Sequence, residues 1–151
     1  MSRLDSFIRR MKAQRDCLNA AAQMLVETPG PVLELGLGNG RTFDHLHKIM
    51  PDREIFVFDR VVNSNPKSTP DLDHVFLGEA DEQLAVAAER FGQTVSLIHA
   101  DLGSGTSADC ALAVTFAPLL VPLLRSGGIL VTGNRFPTSA WEELPLPDGV
   151  P

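Results

Sequence analysis

The residues best suited to chemistry lie in one short stretch, where an acidic residue precedes three glycines at alternate positions. Glu34 is followed by Gly36, Gly38 and Gly40, and a short apolar run leads into them. This pattern predicts a buried strand, a turn free of side chains, and a helix that begins directly after the turn. Glycines let a ligand approach the backbone closely, and the free N–H groups at a helix start attract an anionic group. The stretch therefore predicts a nucleotide-type ligand site rather than a plain strand–turn–helix.

The spacing of the glycines distinguishes between kinds of nucleotide site. A dinucleotide fingerprint, G-x-G-x-x-G, would need a small third residue where this chain has Arg41 or Phe43, depending on where the count starts. This makes a nicotinamide-dependent oxidoreductase a less favoured alternative. The phosphate-binding loop G-x-x-x-x-G-K-[ST] does not occur in the sequence. The G-x-S-x-G elbow of hydrolases with a Ser/His/Asp triad does not occur either. The residues do match E-x-G-x-G-x-G, which resembles motif I of the class I S-adenosylmethionine-dependent methyltransferases.

Further segments agree with this resemblance, which covers about residues 30 to 135. In chain order they are Asp59, Gly78-Glu79, His99-Ala100-Asp101 and the run from Leu124 to Val131. The chain also resembles a small bacterial group described only as S-adenosylmethionine methyltransferase, which brings no substrate with it. The resemblance implies S-adenosyl-L-methionine as the methyl donor and a small molecule as the acceptor. A non-catalytic module that binds the same donor is the main alternative from another class.

The resemblance also implies a set of donor-site residues. The methionyl part would lie against Glu34, Gly36, Leu37, Gly38, Asn39 and Gly40, with Arg41 and Thr42 beginning the next helix. The ribose would be held by Asp59, beside Arg60, and the adenine would lie near Gly78 and Glu79. Glu79 has an alternative interpretation, because an acidic residue is favoured at a helix N-terminus by the helix dipole.

The catalytic candidates follow the fourth and fifth predicted strands. Asp101 is the expected base or substrate anchor at the edge of the donor site, and His99 lies two residues earlier on the same strand face. His99 could assist Asp101, although a packed or surface histidine is the favoured interpretation. Catechol-type methyltransferases hold magnesium with an aspartate after strand four and an Asp-Asn pair after strand five. Asp101 and Asn134 fit two of these ligands, but Gly133 stands where the second aspartate would be needed. We therefore predict no metal.

The apolar periodicity predicts an α/β fold. The predicted strands are 32–35, 55–58, 74–77, 95–99 and 129–132, and the predicted helices are about 4–25, 41–49, 81–91 and 107–125. Residues 61–73 are predicted to form a loop, and Ser104, Thr106 or Ser107 could cap the last helix. Alternating strands and helices give a doubly wound, Rossmann-like parallel sheet with helices on both faces. The resemblance implies the strand order 3-2-1-4-5, without the last two strands of the full methyltransferase fold.

Composition limits the setting in which such a protein works. The 151 residues suit one domain, with an N-terminal helix (1–29), a core (30–135) and a tail (136–151). A net charge of −6 argues against broad nucleic-acid binding, and no apolar run suggests a membrane span or a signal peptide. Two cysteines indicate a reducing cytoplasm. An uncovered fifth strand and an apolar fourth helix favour a homo-oligomer.

Overall fold

A computed structural model describes residues 1–101 and 108–150 of the chain. Five parallel strands form one sheet in the order β3-β2-β1-β4-β5, as predicted. The strands are β1 (Val32–Leu35), β2 (Ile55–Asp59), β3 (Val75–Leu77), β4 (Val95–Ala100) and β5 (Leu124–Thr132). The helices are α1 (Arg3–Met24), α2 (Arg41–Ile49), α3 (Ala80–Phe91) and α4 (Ala108–Leu120). Two short 3-10 helices, Pro66–Ser68 and Leu72–His74, interrupt the segment between β2 and β3.

The central strand β1 is buried at all four positions, as expected of a parallel strand covered on both faces. Leu33 and Leu35 face an apolar cluster that includes residues of α3 and α4. Val32 faces a second cluster, which is built with residues of α1 and α2. Because side chains alternate along a strand, Glu34 points to the same face as Val32. The one acidic residue of β1 is therefore held on the α1 and α2 side of the sheet.

The ends of β2 and β3 are fixed by aromatic packing. Phe58 pairs with Phe76 in the strand register, and their rings stack with centroids 4.5 Å apart and planes 5° from parallel. The Gly78 N–H then donates to the Asp59 carbonyl oxygen at 3.0 Å. Offset ring pairs of this kind add to the energy of burial. The packing holds the residue that ends β2 and the residue that follows β3 side by side at the carboxyl edge of the sheet.

The prediction for the segment between β4 and the tail was partly wrong. The helix predicted for 107–125 ends at Leu120, and the strand predicted for 129–132 begins at Leu124. Proline cannot donate a backbone hydrogen bond, so Pro122 ends the helix, whereas Pro118 is accommodated inside it. Gly127 and Gly128 lie within β5, and the register of β4 against β5 shifts between Val95 and Leu97. The predicted helix-capping residues 104, 106 and 107 lie outside the described residues.

The C-terminal tail covers part of the core without forming regular structure. Residues 133–150 contain no helix or strand, and Phe136 and Trp141 pack against the cluster beside α3 and α4. The strand β5 is the last in the sheet order. Within the described part of the chain, no helix combines the length and the apolar character needed to cross a bilayer.

Candidate functional site

The glycine turn connects β1 to α2 at the carboxyl edge of the sheet. Gly36, Gly38 and Gly40 all have positive φ angles, of 90°, 51° and 90°. The Gly36 N–H donates to the Phe58 carbonyl oxygen at 2.8 Å, and the Gly40 N–H donates to the Leu37 carbonyl oxygen at 2.9 Å. Residues with side chains rarely adopt this left-handed conformation, so the turn depends on glycine at these positions.

The surroundings of two of these glycines differ in a way that bears on ligand binding. A Cβ atom built on Gly40 would lie 2.5 Å from the Ser68 carbonyl oxygen, so this glycine is required by packing within the protein. A Cβ atom built on Gly38 would meet nothing within 4 Å, and Gly38 is exposed. The backbone of Gly38 is therefore open to a ligand that needs close approach.

Asp59 joins the glycine turn to the end of β2. Its Oδ2 accepts hydrogen bonds from the backbone N–H groups of Leu37 at 2.9 Å and Gly38 at 3.4 Å. Its Oδ1 accepts from the Arg60 N–H at 2.7 Å. A carboxylate offers about four lone-pair positions, so capacity remains for further hydroxyl donors. The structure thus brings Asp59, a residue that the family resemblance implies for the donor site, into direct contact with the turn.

Glu34 and His99 form a buried pair between the central strands. They are register partners on β1 and β4, and His99 Nδ1 lies 2.5 Å from Glu34 Oε1. The side chains are 0% and 1% exposed. The other carboxylate oxygen of Glu34, Oε2, has no hydrogen-bond partner among the described residues. Leaving such an oxygen unpaired costs about 1 to 3 kcal/mol or more, because buried polar groups are normally satisfied.

The two pKa values of this pair respond to burial and to each other. Burial raises the pKa of Glu34, and the hydrogen bond and charge of His99 offset part of that rise. Burial alone would lower the pKa of His99, but the hydrogen bond and charge of Glu34 reverse this and raise it. Thr42, near the start of α2, also lowers the pKa of Glu34. The Thr42 side chain is nevertheless not positioned to form a hydrogen bond with Glu34 Oε2. The carboxyl group therefore lies on the α2 side of the sheet, near the glycine turn.

The candidates for the adenine end of the site lie on the surface. Arg60 and Glu79 form an ion pair of 3.2 Å, in which both side chains are more than half exposed. Exposed pairs of this kind contribute little to stability. Glu79 is the residue before α3, but its side chain makes no capping hydrogen bond. Its carboxylate is therefore held toward the end of β2 by Arg60 rather than by the helix N-terminus.

The catalytic candidates are dispersed around the sheet edge. Asp101 is exposed, and its N–H donates to the Leu35 carbonyl oxygen at 3.3 Å, which places it beside the exit of β1. Asn134 lies just beyond β5, and its N–H donates to Thr132 Oγ1 at 3.3 Å. His99 is buried beneath this edge. The geometry gives Asp101 access to a ligand and gives His99 contact with Glu34.

The sequence interpretation did not identify the contact between the 61–73 segment and the glycine turn. The Asn65 N–H donates to the Asn39 carbonyl oxygen at 3.0 Å, and Ser68 packs against Gly40. Asn65 also caps the short helix that begins at Pro66, by accepting from the Lys67 N–H at 2.9 Å. An Asn-Pro pair is a usual signal for such a helix start, and it could have been used to predict this turn.

One surface group of the described residues is compact enough to hold a cation. It consists of Asp71, Asp73 and His74. Both ring nitrogens of His74 are already engaged, Nδ1 with Asp73 at 2.9 Å and Nε2 with Glu54 at 3.0 Å. We interpret the group as a set of hydrogen bonds that fixes the entry to β3. It includes neither Asp101 nor Asn134.

Replacing Gly40 by alanine should destabilise the fold by about 2 to 4 kcal/mol, through the left-handed φ and the contact with Ser68. Gly127→Ala is the matched control, because φ is +81° there and a Cβ would meet nothing within 4 Å. It should cost about 1 to 2 kcal/mol. Urea unfolding followed by circular dichroism measures both. An equal loss in the two variants would contradict the packing role of Gly40.

Comparisons with known proteins agree with the fold. A family model described as S-adenosyl-L-methionine methyltransferase matches residues 1–151. The chain is similar to the crystal structure of an S-adenosyl-L-methionine methyl transferase from Silicibacter pomeroyi DSS-3, with 47% sequence identity and a TM-score of 0.95. That similarity covers 99% of this chain and 93% of that chain, so the two are of nearly equal length. No curated protein matches the chain.

The resemblance predicted from the glycine motif is thereby confirmed, as is the Rossmann-like fold with its strand order. The individual donor-site and catalytic residues remain predictions. The match over the whole chain places this protein in the S-adenosyl-L-methionine methyltransferase family, and its methyl donor is S-adenosyl-L-methionine.

Proposed function

We propose that this protein transfers the methyl group of S-adenosyl-L-methionine to a small-molecule acceptor. The observation that carries the proposal is the glycine turn, with an open backbone at Gly38 and the Asp59 carboxylate bound to it. Ligands of doubly wound sheets bind beyond the carboxyl ends of the strands, where the strand order reverses. Here that point lies between β1 and β4, next to the turn.

The residues present suit the donor. Gly38 leaves its backbone accessible, Glu34 has an unpaired buried oxygen that suits an ammonium group, and Asp59 retains acceptor capacity for ribose hydroxyls. We propose that the methionyl part is bound by the turn residues and the start of α2, which are Glu34, Gly36, Leu37, Gly38, Asn39, Gly40, Arg41 and Thr42. Arg60, Gly78 and Glu79 would then line the adenine end.

The protein's contribution to the reaction is alignment. When bound, S-adenosyl-L-methionine supplies a methyl group that its positively charged sulfur has already activated. The turn residues orient that methyl group toward the acceptor, and the surrounding residues exclude water. Where the acceptor atom carries a proton, Asp101 accepts it, because Asp101 is the exposed carboxylate beside the exit of β1. We propose Asn134 as a polar contact for the acceptor, whereas His99 is buried beneath the sheet edge.

The test is transfer of a labelled methyl group from S-adenosyl-L-methionine to compounds of a deproteinised metabolite extract. Label in a small-molecule product supports the proposal. Donor binding without any transfer would favour the alternative, a non-catalytic module that binds the donor. A thermal shift with NADH but none with S-adenosyl-L-methionine would contradict both.

Replacing Gly38 by valine should abolish donor binding, because the side chain fills the space that the ligand needs at this exposed backbone. Gly127→Val is the matched control, since that glycine also has a positive φ and open surroundings. Isothermal titration with S-adenosyl-L-methionine should give no measurable binding for Gly38→Val and an unchanged affinity for Gly127→Val. Wild-type affinity in Gly38→Val would remove the turn from the donor site.

Replacing Asp101 by asparagine should spare donor affinity and lower turnover by about a hundredfold, which is within the usual contribution of a general base. Glu82→Gln, an exposed change on α3, is the control and should keep full turnover. The labelled-methyl assay and titration measure the two quantities. Unchanged turnover in Asp101→Asn would exclude the base role.

We further propose that the protein is a cytoplasmic homo-oligomer. Both cysteines are free, which suits a reducing compartment. The edge strand β5 has no further strand beside it in the described chain, and Leu4 and Ile8 of α1 are 66% and 56% exposed. Open strand edges and clustered apolar surface are normally covered. Light scattering should give at least twice the mass of one chain, and a single-chain mass would contradict the proposal.

A further inference from the structure

Glu34 and His99 form a polar pair that is buried in an otherwise apolar part of the core. Each side chain lies on a central strand, and neither is reached by solvent. A buried ion pair usually stabilises a fold no more than apolar residues of the same size would. The remaining positions of the cluster on this face, such as Val32 and Leu97, are apolar. The polar pair therefore calls for an explanation beyond the stability of the core.

Only one of the two Glu34 oxygens is used within the described protein. Oε1 is engaged by His99, whereas Oε2 has no partner among the described residues. The side chain as a whole lies on the α1 and α2 face of the sheet, where Thr42 of α2 acts on it. His99 thus fixes the rotation of the carboxylate, and with it the direction of the unpaired oxygen. A carboxylate in this arrangement is suited to accept from a cationic donor, either directly or through one bound water.

We infer that His99 is a positioning residue, which holds the Glu34 carboxylate so that Oε2 binds the ammonium group of the methyl donor. This inference rests on the proposed function, since it assumes that the donor's amino-acid arm lies at the glycine turn. The positioning role explains why Glu34 has a buried histidine partner. Because both side chains titrate, binding of the amino-acid arm should then depend on pH.

The charges that act on the pair determine the sign of this dependence. Burial raises the pKa of Glu34, and His99 lowers it again through its hydrogen bond and charge. Among the described residues, the other charge acting on both partners is that of Asp101, from the end of β4, while Thr42 contributes a polar group from α2. Removing the positive charge of His99 would therefore raise the Glu34 pKa further, and the carboxylate would take up a proton at a higher pH.

The experiment compares two ligands that differ in the amino-acid arm. S-adenosylhomocysteine carries the arm, and 5′-methylthioadenosine lacks it. Isothermal titration of both ligands between about pH 5 and pH 8 covers the range in which histidine titrates. For the wild type we expect the affinity for S-adenosylhomocysteine to fall toward low pH, as Glu34 becomes protonated, while the affinity for 5′-methylthioadenosine stays constant.

Two variants separate the roles of the partners. Glu34→Gln should lose about tenfold or more in affinity for S-adenosylhomocysteine, the usual effect of a lost charged hydrogen bond, and should lose its pH dependence. His99→Gln can still donate a hydrogen bond but carries no charge, so the fall in affinity should move to higher pH. Neither change should alter 5′-methylthioadenosine binding by more than about twofold. Ser96→Ala is the control, because Ser96 is also buried on β4 but bonds to Gly30 and Arg53, away from the pair.

Each result decides the inference. A wild-type pH profile in His99→Gln, or an equal loss of both ligands in either variant, would overturn it and leave the proposed function intact. If His99→Gln does not fold, the wild-type profile and Glu34→Gln decide together: an affinity for S-adenosylhomocysteine that stays constant with pH in the wild type, or an unchanged pH dependence in Glu34→Gln, would overturn the inference. A wild-type protein that binds neither ligand would overturn the proposed function, and this inference with it.

Discussion

Three of the five residues that connect β1 to α2 must adopt a left-handed backbone conformation, and most of the site depends on that constraint. Positive φ at Gly36, Gly38 and Gly40 turns the backbone sharply enough that α2 begins directly above the sheet edge. The turn also directs the N–H groups of Leu37 and Gly38 at the Asp59 carboxylate. A residue with a side chain at any of these positions would cost strain, and at Gly38 it would also occupy space that the site needs.

Two segments contact the glycine turn, and each contacts a different part of it. Asp59 binds it from the end of β2, and Asn65 and Ser68 contact it from the segment before β3. Glu34 lies on the α2 side of the sheet with one free oxygen. A site whose backbone is fixed in this way needs little reorganisation when a ligand binds, which favours both affinity and alignment of the reacting atoms.

The sequence was sufficient to predict what depends on local pattern. The buried run before Gly36 predicted β1, the glycine spacing predicted the turn and the start of α2, and the family match confirms the resemblance drawn from them. The pairing of Glu34 with His99 depends on the register between strands 65 residues apart, which no local pattern encodes. The end of α4 was misplaced for a related reason, because Leu123 and Leu124 continue an apolar run that suits either a helix or a strand.

We propose above all that the amino-acid arm and the ribose of the methyl donor occupy the glycine turn. The most direct measurement is a crystal structure of the protein grown with S-adenosylhomocysteine. We predict electron density for the arm over Gly38, with the ribose hydroxyls within hydrogen-bond distance of Asp59. Electron density for the ligand at full occupancy on another surface, with none at the glycine turn, would contradict this proposal.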